Sequence, residues 1–113
     1  MADDFDPFEL VETSPGQFSL LFSEFEAAAE VFEEAGVEGG GYAWAAMARH
    51  VVDNDATELK ERIDFDPEAS LFCAFGEDRA ALTTLGARLA QLLHDKRRLA
   101  QIVDAIGPRG FDD

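Results

Sequence analysis

Residues 34–52, EAGVEGGGYAWAAMARHVV, decide how the rest of the chain is read. Three consecutive glycines, Gly39, Gly40 and Gly41, join an acidic segment to an apolar one, and Tyr42 and Trp44, the sole Tyr and sole Trp, follow at once. A glycine run lets the backbone turn tightly, visit φ > 0 and lie close against other backbone. Beyond it, Trp44, Met47, Ala48 and Val51 recur at three- and four-residue spacing, which predicts a helix from about Tyr42 to Val52. The stretch reads as a rigid corner with an aromatic anchor, Trp44 and Tyr42 packing half-buried beside it. No Gly-Lys-Ser/Thr follows the glycines, so it is not a phosphate loop.

Upstream of the corner, PFELVET sets Phe8, Leu10 and Glu12 against Glu9 and Val11 with the two-residue period of a strand. GQFSLLFS follows the turn signal Ser14-Pro15-Gly16 as a second strand, which makes a hairpin. Ser23 with Glu26 fits a capping box. Phe25, Ala28, Ala29 and Phe32 form the stripe of a helix over residues 24–35, with Gly36 placed to end it. Downstream, Asp53-Asn54-Asp55 is expected to break the second helix, and TELKERI to add a short helical turn. Ile63 and Phe65 open a strand, and Asp66-Pro67-Glu68-Ala69 turns it. SLFCAFG returns with apolar residues in both phases, the pattern of a central strand buried on both faces. Leu82, Leu85, Leu89, Leu92 and Leu93 define a helix capped by Asp78 or Glu77. Asp95 caps a last one through Leu99, Ile102, Val103 and Ile106, stopped by Gly107-Pro108. The order ββααββαα predicts a single α+β domain over residues 1–113, with an antiparallel sheet of about four strands and helices packed on it. Residues 1–6 and 108–113 are expected to be flexible ends.

The 113 residues carry 24 acidic and 9 basic side chains, a formal charge of -15. The sign is unevenly spread: from Met1 to Ala48 there are eleven Asp and Glu and no Lys or Arg. Such a field repels nucleic acid and anionic membrane and favours encounter with basic partners. The short basic run Lys96-Arg97-Arg98 is too small to reverse that, and no apolar stretch is long enough for a transmembrane helix. Glu26, Glu30, Glu33 and Glu34 share one helix face with no interspersed lysine. That arrangement weakens an isolated helix, and points to a docking surface for a basic protein. Tyr42 is expected to join it, ring packed and hydroxyl wet.

No catalytic constellation assembles from the remaining residues. Cys73 sits mid-strand among aromatics without a cationic neighbour and reads as a small core residue. His50 lies in an alanine-rich helix and His94 at a helix end, too scattered to hold zinc with one cysteine. Asp53-Asn54-Asp55 begins like a calcium loop, but Thr57 and Glu58 stand where an oxygen ligand and the turn glycine belong. Asp64, Asp66 and Glu68 alternate on a strand and turn as solvent-facing acids do. Neither catalytic residues, metal nor cofactor is therefore assigned, and the lone cysteine suits a reducing cytoplasm.

With those residues set out, EEAGVEGGGYAWAAMARHVV and ERIDFDPEASLFCAFGEDRAAL resemble the Immunity protein 51 family of bacterial polymorphic-toxin systems. PFELVE and GQFSLLF agree in position, so the resemblance runs from about Pro7 to Ile106. The family often has an Asn in the middle of the glycine corner, where this chain has Gly40. The resemblance implies a small non-enzymatic protein that binds and neutralises a cognate protein toxin; the acidic surface adds that a basic toxin such as a nuclease would suit it. The competing expectation is a small enzyme or ligand-binding domain with a pocket near the Gly39–Trp44 corner.

Overall fold

The computed structural model describes residues 7–112, and the side chains of residues 7–107. The chain runs β1 (Glu9–Ser14), β2 (Gln17–Phe22), a 3-10 turn (Phe25–Ala28), α1 (Ala29–Glu34) and α2 (Gly41–Asp55). A second 3-10 turn (Thr57–Leu59) leads to β3 (Asp64–Phe65), β4 (Phe72–Gly76), α3 (Arg79–His94) and α4 (Lys96–Asp112). The strands form one antiparallel sheet in the order β1-β2-β4-β3, so two hairpins lie side by side with β2 paired to β4. This is the α+β fold and element order expected from the periodicities.

Alternation decides which side chains the sheet turns inward. In register, Leu10 faces Leu20 and Leu20 faces Ala74, while Phe22 faces Phe72. Leu20, Phe22, Phe72 and Ala74 are all buried beneath α2 and α3, which lie on β4 and β2; α4 packs outside them against α2, α1 and α3. Trp44 is wholly buried at the centre, its ring 5.1 Å from Phe22 and 5.8 Å from both Phe8 and Phe32. Phe8 stacks on Phe22 at 4.3 Å, so the aromatic cluster ties β2, α1 and α2 together. Edge-on and offset aromatic contacts of this kind add to the burial of the rings themselves.

Helix ends follow local chemistry where a partner exists. Asp78 Oδ1 accepts from the Ala81 amide at 3.1 Å and caps α3, and Asp95 Oδ1 accepts from the Arg98 amide at 3.2 Å and caps α4. Gly36, at φ 74°, closes α1: its amide reaches the Glu33 carbonyl and the Val37 amide reaches that of Phe32. Those two bonds satisfy carbonyls the helix end would leave bare.

Five expectations need correction. The helix over residues 24–35 starts as a 3-10 turn, and Ser23 makes no capping bond. The half-buried Phe25, 5.5 Å from Phe22, and the buried Ala28 are three apart, and a three-residue turn puts both on the same side. Asp53-Asn54-Asp55 does not break α2 but forms its last turn; Asn54 Nδ2 donates to the His50 carbonyl at 2.8 Å. β3 is only two residues long. β4 is central but covered on one face alone, because the helices lie on one side: Phe72 and Ala74 are buried, whereas Phe75 is 39% exposed. Finally, Gly107 interrupts α4 at φ 73° and the backbone becomes helical again to Asp112. Pro108 suits the first turn of a restarted helix, where no amide hydrogen is needed. Of the ends expected to be flexible, residues 1–6 and Asp113 lie outside the described residues.

Candidate functional site

The glycine corner owes its composition to close approach. None of Gly39, Gly40 and Gly41 has a positive φ. Gly41, first residue of α2, donates its amide to the Ala69 carbonyl at 3.1 Å. A Cβ on Gly41 would run into the carbonyl oxygens of Glu68 and Leu71; one on Gly40 would strike that of Ala69, and one on Gly39 the Phe32 ring. The turn between β3 and β4 therefore sits on the N-terminus of α2, and its carbonyls meet the positive end of the helix where no side chain caps it. The turn thus lies in close contact with the corner, and the Trp44 side chain beyond it is wholly buried.

Tyr42 parts company with Trp44: it is 59% exposed, more than the half-burial its position suggested. Glu26, Glu30, Glu33 and Glu34 are exposed as well. Among the described residues, none of these four carboxylates has an ion pair or side-chain hydrogen bond. Glu30, Glu33 and Glu34 belong to α1, whose Phe32 packs on Trp44, so this acidic surface lies on the helix-covered side of the sheet.

The other side is open. Two rows of outward residues cross the sheet, Val11–Ser19–Phe75–Asp64 and Glu9–Leu21–Cys73. Asp66, whose amide donates to the Cys73 carbonyl at 3.0 Å, extends the second row. Val11 is 37% exposed, and Leu21 and Cys73 are half-buried. A broad depression of about 1020 Å³ lies against this face, lined among others by Ser19, Cys73, Phe75, Glu61, Asp64 and Asp66. Val11, Leu21 and Phe75 were not singled out in the sequence. Their signal is parity: each is out of phase with the inward Leu10, Leu20 or Phe72 of its own strand.

Cys73 belongs to the open face, not to the core, and burial, then the nearby Asp66 carboxylate, pushes its thiol above the usual range, which disfavours a thiolate nucleophile. Arg62 pairs with Asp78 at 2.6 Å across the rim of the depression. Asp78 is held below the usual carboxylate range, first by the Ala81 amide and then by Arg62. His50 lies on α2 and His94 ends α3, neither in a side-chain hydrogen bond among the described residues. Among the described residues no three His, Cys, Asp or Glu side chains converge as metal ligands would, and no helix is long and apolar enough to cross a membrane.

A family model described as Immunity protein 51 matches residues 8–108, which span the sheet, α1 to α3 and α4 as far as its break. No curated protein and no solved structure matches the chain.

Proposed function

The chain belongs to the Immunity protein 51 family, and from that membership we propose that it is a non-enzymatic, cytoplasmic antitoxin that binds one cognate toxin domain and neutralises it. Charge is the observation that carries the partner's chemistry. With -15 on 113 residues, and no base before Arg49, the protein attracts a basic surface such as that of a nuclease domain. Glu26, Glu30, Glu33 and Glu34, with the exposed Tyr42 beside them, supply the approach surface on the helical side. What supports this is that, among the described residues, no cation pairs with their carboxylates. Exposed charges of this kind act mainly on association rate.

Coexpression tests the reading. Each neighbouring reading frame is placed under an inducible promoter, and growth is followed with and without this chain. Rescue from one of them, by formation of a one-to-one complex, is the expected result; toxicity that persists with every neighbour refutes it. A His50→Ala protein should rescue as well as the parent if it folds, since the imidazole serves no reaction.

A further inference from the structure

The open face of the sheet has an apolar middle and an acidic border, and we propose that it is the surface on which the toxin seats. This rests on the immunity reading and gives that reading an address. Phe75 and Val11 stand 39% and 37% exposed in one row, with the half-buried Leu21 and Cys73 in the next. Around them lie Glu9, Glu61, Asp64, Asp66 and Glu77, all exposed. The basic side chains lining the depression are Arg62 and Arg79, and Arg62 is held by Asp78 at 2.6 Å. An apolar centre within a polar rim is the anatomy of a protein interface, and an aromatic side chain at its middle is the usual anchor.

The border selects the occupant. A second copy of this chain would bring the same ring of carboxylates against itself, and like charges across a contact oppose association. The chain's own N-terminal MADDFD carries Asp3, Asp4 and Asp6 and meets the same objection. A partner whose apolar patch is collared by Lys and Arg meets none, and the toxin domain is the partner of that chemistry. The surface differs in role from α1: the glutamates there act at a distance on encounter, whereas Phe75 and its neighbours hold the complex once formed.

Two measurements on the intact protein test this. The probe is the toxin domain from the neighbouring frame that the chain rescues, inactivated at its catalytic residue. Phe75→Lys places a cation in the middle of the face at a position already exposed. It should weaken Kd by about 30-fold or more, mostly through faster dissociation, as loss of an anchor does. Separately, Cys73 is the sole cysteine, so thiol labelling reports on this face alone. Its labelling rate at alkaline pH should fall in proportion to the fraction of chain bound, a readout that stands even where Phe75→Lys fails to fold. Wild-type affinity in the variant, or unchanged labelling in the complex, overturns the docking face and leaves the immunity reading intact. Failure of the parent to rescue or bind any neighbour brings down that reading and the docking face with it. Self-association abolished by Phe75→Lys in the absence of toxin would assign the face to a second copy and overturn the proposal.

Discussion

Replacing Gly41 by alanine sets two physical effects against each other. Helix propensity alone favours the change, since alanine is about 1 kcal/mol better than glycine inside a helix. Gly41 is the first residue of α2, and its φ is not positive, so the backbone conformation raises no objection. The neighbours do: the new Cβ would overlap the carbonyl oxygens of Glu68 and Leu71, which are backbone atoms unable to rotate aside. Forcing atoms into such a contact costs about 1–3 kcal/mol. Pushing the turn away also lengthens the Gly41 amide bond to Ala69, worth about 1 kcal/mol. The clash wins by a net of about 1–3 kcal/mol, taking the propensity gain into account. For a domain of this size that lowers Tm by about 4–12 °C. Urea unfolding and thermal circular dichroism on the parent and Gly41→Ala measure it. Gly36→Ala is the companion: it meets no atom within 4 Å but sits at φ 74°, so its cost comes from backbone conformation and Gly36→Asn should restore part of it. A Gly41→Ala protein that melts at or above the parent refutes the close-approach argument.

Trp44→Ala should cost about 3–5 kcal/mol, a large share of a small domain's stability, and Trp44→Phe should lose less because Trp44 Nε1 has no acceptor among the described residues to forfeit; denaturant midpoints decide it. Asp78, depressed by the Ala81 amide and Arg62, contributes stability that is complete above the unfolded carboxylate value and is lost as pH falls through the lower folded one. Asp78→Ala should therefore melt below the parent at pH 7 and approach it in strong acid, and a deficit that grows with acidification would contradict the cap. Reversing Glu26, Glu30 and Glu33 to Lys should slow toxin association and flatten its salt dependence with little change in melting; an unaltered on-rate at low salt removes α1 from the encounter.

Much of this was legible in the chain because the determinants are local. The period-two pattern around Leu10 and Leu20, the leucine spacing of α3, the Asp78 and Asp95 caps and the Gly36 terminus each depend on residues a few positions apart. The failures share the opposite cause. Glycines at 39–41 look like turn residues, yet what requires Gly40 and Gly41 is a carbonyl turn from the second hairpin, which no nearby residue announces, while Gly39 yields to the Phe32 ring. Apolar Phe75 and Cys73 suggested a strand covered twice, but how many layers cover a sheet depends on where every helix goes. The carboxylates of α1 were evident as a cluster in sequence, while the acidic ring around Phe75 gathers Glu9 from β1, Asp64 from β3 and Glu61, Asp66 and Glu77 from the connections. Catalytic residues draw attention by type; a docking face is defined by what leaves it uncovered.

The repeated ββαα order suggests a molecule made of two exchangeable halves, but the seat of the β3–β4 turn on α2 denies it that modularity. The first half contains a helix whose leading amide is satisfied only by the second, and β2 and β4, one from each half, share the central pairing. Ordering one half without the other would leave a frayed helix start and a bare strand edge, so the domain is expected to appear in a single cooperative step. Under the proposed antitoxin role that arrangement is an advantage, since no half-formed species with an exposed central strand need accumulate.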